Sequence, residues 1–456
     1  MRARAGELLP SDERPLFVSL LIGAALLLSA AAAQALPSFA QQTGYACTQC
    51  HTVGFGPALT AYGRGFKLNG YVWGEAPSTL PLALMVQGGF THTGTPQPDA
   101  PAPHFAPNQN LSVDQVSAFY AGRISQHAGA FVQVTYSGEG RHTSWDNTDI
   151  RYARNFTVGG KGVVAGVTLN NNPTVQDLWN STPAWSFPYI SSGLAPGANA
   201  DALIGGLGGA VLGATAYAMV DNHYYLELGG YRGVADAWLS RLGVGADASV
   251  HMVGAAPYWR ARVQFAPGPH YYSAGVFGMD SSLQPDPTIA AKDRYRDFGV
   301  DATYQYTPHN QHALVANATL IHERRQLDST FAAAGSDAAA GHLNTLHLDV
   351  NYSYDQTWAG ALGLFDIRGS TDLTLYGPGP LSGSANGSPD TRGYVVHAEY
   401  IPFGKLQSFG HPYLNIRLGL QYTGYTKFNG GTTNYDGSGR NAGDNNTLFA
   451  FVWVII

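Results

Sequence analysis

From Leu82 to Ile456 apolar and polar residues alternate with a period of two, and clusters of Gly, Asn, Asp and Pro interrupt the alternation at intervals. That period belongs to the β-strand, whose successive side chains point to opposite faces. The clearest run sets Leu346, Leu348, Val350, Tyr352 and Tyr354 on one face and Thr345, His347, Asp349, Asn351 and Ser353 on the other. Leu414 to Tyr422 and Trp259 to Phe265 repeat the pattern, and further matches lie at Ala130–Tyr136, Ile150–Phe156, Tyr224–Leu228, Phe298–Tyr306 and Tyr394–Tyr400. Each such strand separates an apolar side from a wet one. Carried through to the chain end, the pattern predicts about 16 strands of roughly ten residues.

A soluble sandwich also alternates, so the kind of residue on each face has to decide. The apolar faces here carry Tyr, Trp and Phe near the strand ends, and the opposite faces carry Arg, Asp, Glu and His. Lipid outside and water inside is the environment that demands this division. The predicted fold is therefore all-β, a transmembrane antiparallel β-barrel with a polar lumen, over residues 81–456. One uncharged stretch, Ala202 to Val220, is long enough for a membrane helix, but its five Gly make it a poor one. It is read as the tail of a loop followed by one strand. Leu448 to Ile456 is the expected final strand. The stretch from Asn170 to about Ala200 reads as a long loop, either folded into the lumen or projecting outward, and the turns near Gly377–Arg392 and Asn429–Asn446 read as long outer loops.

Ahead of the barrel, Met1 to Arg14 mixes three Arg with three acids, and an uncharged apolar run follows from Leu16 to Ala33. Ala33-Gln34-Ala35 fits a signal-peptidase site, so residues 1–35 are expected to be an export signal and Leu36 the mature N-terminus; a retained anchor is the competing reading. Residues 36–80 form a short segment with a helical look from Pro57 to Leu68. So short a piece seldom buries enough apolar surface alone, and it is expected to pack against the barrel that follows.

Charged residues are 12% of the chain and the net charge is −6, with no dense basic run, which excludes nucleic acid as an expected partner. Only two Cys occur, at 47 and 50, too few and too close for the disulfide framework of an exported protein. They belong to Cys47-Thr48-Gln49-Cys50-His51, the c-type haem attachment pattern: two thiols add to the haem vinyls and the adjacent His ligates the iron. A zinc half-site and a redox dithiol are the alternatives. The first lacks a second Cys pair and the second a βαβ setting. The reading assigns one c-type haem, with Cys47 and Cys50 as covalent attachment points and His51 as the proximal ligand. The distal ligand is left open: it is missing, a weaker donor such as Lys67, or supplied from the barrel, where Met85 and His92 are nearest in sequence and Met219, Met252, Met279 and several His are more remote. Arg260, Arg262, Arg417, Glu227, Asp301, Asp349 and Glu399 are expected to face the lumen, where they tune the haem field or hydrate the pore.

Pro37 to Gly44, the haem motif, and Leu59 to Tyr71 together resemble the fused cytochrome-porin family, which includes the outer-membrane iron-oxidising cytochromes. The resemblance continues through Asn170–Tyr189 and Ala216–Arg232. It implies a cytochrome segment plugging a porin barrel in the bacterial outer membrane. It also implies electron transfer from an extracellular donor, ferrous iron in many members, to a periplasmic carrier such as a cytochrome or copper protein. An iron:cytochrome oxidoreductase activity would follow. A passive diffusion porin with an appended cytochrome and a haem peroxidase are the other functions weighed.

Overall fold

A computed structural model describes residues 37–74, 80–244, 251–309 and 311–456. The expected export signal and its cleavage site lie outside the described residues. Sixteen antiparallel strands form one closed barrel in which every strand pairs with its neighbours in the sequence. They are β1 (Leu82–Thr93), β2 (Asn110–Arg123), β3 (Ala128–Ser137), β4 (His142–Val158), β5 (Lys161–Asn170), β6 (Val211–Val220), β7 (Tyr224–Gly233) and β8 (Ala256–Phe265) in the first half. The second half contains β9 (His270–Leu283), β10 (Asp293–His309), β11 (His312–Leu327), β12 (Ala340–Tyr354), β13 (Trp358–Gly369), β14 (Thr391–Tyr400), β15 (Asn415–Lys427) and β16 (Thr447–Ile455). The ring closes where β1 meets β16, from Met85 opposite Ile455 to Thr93 opposite Thr447. Closure leaves no sheet edge, which is what a sheet needs to satisfy its backbone in hydrocarbon.

The alternation sorts as the sequence predicts, with the polar face inward. On β12, Thr345, Asp349 and Ser353 are buried while Leu348, Val350, Tyr352 and Tyr354 face outward. On β8, Arg260, Arg262 and Gln264 are buried while Val263 and Phe265 face outward. An outside this apolar around a polar inside is the reverse of a soluble protein, and lipid is the solvent that makes it stable. Among the described residues no helix is long and apolar enough to cross a membrane. The uncharged stretch from Ala202 divides into a single helical turn, Leu203–Gly206, and β6.

The two ends of the barrel differ. At the end holding the start of β1 and the finish of β16, most connections are tight. Gly159 and Gly160 make the β4–β5 turn at φ +58° and +80°, a left-handed conformation that favours glycine. The exception is 401–414 between β14 and β15. The opposite end carries the long connections 94–109, 171–210, 234–255, 370–390 and 428–446. Outward-facing aromatics gather near the tight-turn end: Phe156, Tyr224, Phe265, Tyr272, Tyr352, Tyr354, Trp358 and Tyr400 are all exposed. Trp358 and Tyr400 pair with ring centres 4.3 Å apart and Tyr272 and Tyr304 at 5.1 Å. Such a belt marks a lipid–water boundary.

The N-terminal segment lies inside this end. It holds α1 (Pro37–Thr43), α2 (Cys47–Cys50) and α3 (Ala61–Leu68). The helix expected from Pro57 starts instead at Ala61, because Thr60 adopts the extended conformation of an N-cap and its hydroxyl accepts from Gly63 N at 3.3 Å. Phe39 stacks on Tyr71 at 5.4 Å and meets the edge of Phe66 at 4.9 Å, giving the segment its own small core. The rest of its stability comes from the barrel wall. Ser38 Oγ donates to Ala121 O at 2.7 Å, Tyr71 Oη to Asp149 Oδ2 at 2.6 Å and Tyr217 Oη to Leu68 O at 2.8 Å. From the far side of the ring, Arg417 Nη1 donates to Phe55 O at 3.0 Å, Ser353 Oγ to Thr52 O at 2.9 Å and Gln356 Nε2 to Thr48 O at 2.8 Å.

Candidate functional site

A single turn of helix brings Cys47 and Cys50 onto one face, since residues three apart in a helix are neighbours. His51 then leaves the helix in an extended conformation, its N–H still donating to Cys47 O at 3.0 Å, and bridges to Leu59. Both cysteines are free thiols. Burial, the largest influence on each, pushes Cys47 up to about 11 and Cys50 up to about 12. A redox dithiol needs the opposite, a thiol lowered toward neutrality. Burial also pushes the His51 imidazole down to about 4, against the Gly56 backbone, which raises it, and its Nδ1 is buried. Among the described residues no group of three or more His, Cys, Asp and Glu side chains is gathered to hold a metal ion.

Above these three residues opens a cavity of about 560 Å³. Its lower wall is aromatic, with Phe39, Phe55, Phe66 and Tyr71 from the N-terminal segment and Phe119 and Phe131 from β2 and β3. Its roof is the connection between β5 and β6, which supplies Val175, Asn180, Trp185, Phe187 and Tyr189. That connection folds into the lumen, which resolves the alternative left by the sequence. Toward β1–β4 the lining turns polar, through Gln87, Gln115, Gln133, Asp146 and Asp149.

The roof is held by charge. The Asp177 carboxylate accepts from Trp179 N at 3.0 Å, Ser181 N at 3.0 Å and Thr182 Oγ1 at 2.8 Å, and pairs with Arg260 at 3.2 Å. Burial alone would raise its pKa, but Arg260 and Arg262 outweigh that and hold it well below the ordinary carboxylate range. Ser181 Oγ donates to Asp301 at 2.6 Å, and Asp301 also pairs with Arg260 at 2.7 Å and with Arg262. Roof and floor are joined by Lys67, whose Nζ donates to Val175 O at 2.8 Å, Asp177 O at 2.6 Å and Asn180 Oδ1 at 3.0 Å. Asn180 Nδ2 returns a bond to Pro57 O at 2.7 Å.

Cys47, Cys50, His51, Lys67 and Met85 all line the one cavity. His92, Met219, Met252 and Met279 do not. Met219 packs with Leu68 and Trp179, and Met252 and Met279 belong to a separate apolar cluster. The lumen charges differ from expectation in one respect: they are too buried to hydrate a pore. Arg260 and Glu227 are fully buried, Arg262, Asp301 and Arg417 nearly so, and each is bonded to protein. Arg417 pairs with Glu399 at 3.0 Å through Nε, and Asp349 accepts from Asn317 at 3.0 Å. The sequence reading missed Asp177, Arg64 and Arg151. Asp177 had a local signal in the Ser181 and Thr182 that follow it, because Asp bonds readily to nearby backbone N–H groups. Arg64 and Arg151 have partners far away in sequence, Gln305 at 2.9 Å and Gln176 O, which alternation alone does not reveal.

No family model matches the chain, and no curated protein matches it. Among solved structures, Salmonella typhi OmpF in complex with daunomycin is 13% identical, over 82% of this chain and 97% of that one, with a TM-score of 0.49. The anion-selective porin of Comamonas acidovorans is 11% identical, over 82% and 98%, at 0.42, and the outer-membrane channel DcaP of Acinetobacter baumannii 11%, over 82% and 96%, at 0.43. At these values the porin-like architecture rests on the strand topology itself.

Proposed function

We propose that the chain is an outer-membrane electron conduit of the fused cytochrome-porin kind, carrying one c-type haem on Cys47 and Cys50 with His51 as proximal ligand. The observation that carries this is the aromatic-walled cavity opening directly over both thiols and the His51 ring. Its volume falls within the roughly 300–1,000 Å³ of cofactor pockets. Burial that pushes both thiols up also disfavours the thiolate that a redox dithiol or a zinc half-site needs.

When bound, the haem supplies a one-electron couple. The protein's own residues do the rest. Cys47 and Cys50 would hold the cofactor covalently, and Phe39, Phe55, Phe66 and Phe119 would keep water from it, which would tune its potential. The barrel isolates the site from lipid near the end with tight turns, the periplasmic end in barrels of this class. The long connections at the other end face the donor. In this reading the donor is extracellular, with ferrous iron as the expected substrate, and the acceptor is a periplasmic cytochrome or copper protein.

A diffusion porin with an appended cytochrome is the second reading, favoured by the sixteen-strand barrel alone. The test is the optical spectrum of the full chain, purified from a host with c-haem maturation, before and after adding ferrous iron, with single-channel conductance on the same sample. Covalent haem reduced by iron, with low conductance, is the expected result. High conductance with a haem that no external reductant reaches would establish the porin instead.

A further inference from the structure

Among the described residues, the cavity over His51 has only a few other side chains able to ligate iron through nitrogen or sulfur, namely Lys67, His347 and Met85. Lys67 uses its three N–H groups on Val175 O, Asp177 O and Asn180 Oδ1, bonds that join the cavity's roof to its floor. Freeing it would leave two buried carbonyls unpartnered, an unfavourable exchange. His347 lies near the middle of β12, and its charged neighbour is Asp201. Asp201 belongs to the far part of the roof connection, where its carbonyl accepts from Arg325 close to the long-loop end of β11. His51, by contrast, belongs to the segment held at the tight-turn end, where the β12–β13 turn residue Gln356 bonds Thr48 O.

Met85 has neither obstacle. It sits at the tight-turn end of β1, faces inward at 6% exposure and belongs to the apolar cluster of Phe55, Phe119 and Trp453 against which Cys47 packs. Its sulfur's polar contact is Gln87 Nε2 at 3.6 Å, the weak kind a thioether makes and gives up readily. Three rotatable bonds let that sulfur move within the cavity without displacing β1.

We infer that the Met85 thioether is the distal axial ligand of the haem carried by Cys47, Cys50 and His51. The inference rests on the reading of a covalent haem at those residues. A thioether favours the reduced iron and raises the potential relative to a second imidazole, suiting a centre that accepts electrons from a weak reductant.

The test uses the full chain with haem incorporated, as wild type, Met85→Leu and Met85→His. Haem that persists through denaturing electrophoresis tests the underlying reading; without it in wild type, that reading fails. With haem present, the wild-type spectrum is expected to be six-coordinate and the reduced protein inert to carbon monoxide. Met85→Leu, nearly matched in volume, is expected to lose six-coordination, bind carbon monoxide stoichiometrically and shift to lower potential. Met85→His is expected to restore six-coordination at a potential below wild type. A wild-type haem that binds carbon monoxide at once, or a Met85→Leu protein unchanged in spectrum and potential, overturns the assignment of Met85. Should Met85→Leu fail to load haem, the histidine variant decides: six-coordinate with a lowered potential supports the ligand, and an unshifted potential overturns it.

Discussion

Gly63 shows how closely the site is packed. A Cβ there would come within 2.3 Å of the Cys50 carbonyl, so α3 approaches the Cys-x-x-Cys turn only because the residue is glycine. Gly63→Val is expected to push α3 away and lower the yield of covalent haem several-fold while the barrel still forms. Haem staining against the heat-shifted mobility of the folded barrel separates the two effects. Replacing both Cys47 and Cys50 with Ser is expected to abolish covalent haem entirely, and a single replacement to leave a weaker one-bond attachment; the same stain with mass spectrometry reads both. The Cys47, Cys50 and His51 motif on which the proposed haem rests is legible from spacing alone, since it is contiguous. Lys67 and Met85 are visible in the sequence only as members of a list of candidates, because what selects among them is which side chains the closed barrel brings to one cavity.

The decisive element is the connection between β5 and β6. Its fold depends on one carboxylate, Asp177, held by its own backbone and by Arg260. Removing one partner of a buried ion pair costs about 3–5 kcal/mol, because the other charge is left without compensation. Asp177→Asn is therefore expected to loosen the roof, and limited proteolysis should nick between 171 and 200 faster than in wild type. Lys67 adds a pH dependence. Burial, aided by Arg151, pushes its pKa from 10.5 to about 7. Between those values the unfolded chain binds a proton that the folded one does not, so stability rises with pH across the window and is lowest below it. Lys67→Met has no proton to lose, and is expected to flatten that rise and to cost about 1–3 kcal/mol through the carbonyls it abandons. Urea unfolding at several pH values checks both.

At the scale of the whole molecule the barrel is occupied at two levels, by residues 37–74 near the tight-turn end and by the β5–β6 connection above them. Both are bonded to buried charges on the wall, Arg417 to Phe55 O and Arg260 to Asp177. Low conductance is expected for the full chain in planar bilayers. A protein lacking residues 37–74 is expected to conduct more, since the floor is gone and the roof has lost Lys67. Equal conductance in the two would mean that the N-terminal segment does not obstruct the lumen.

By itself the sequence determined the barrel, its strand number and which face of each strand meets lipid, because alternation is a local property that a bilayer enforces on every strand separately. It also determined the Cys47, Cys50 and His51 motif of the proposed haem, since those three residues lie within a single turn. Only the tertiary structure decided that the long connection turns inward, that Arg260, Arg262 and Arg417 clamp loops rather than line a watery pore, and that Met85 shares a cavity with His51. Those facts depend on contacts between residues a hundred or more positions apart, such as Lys67 with Asp177 and Gly54 with Asn415. Closing the ring creates such contacts, and a pattern of period two carries no information about them.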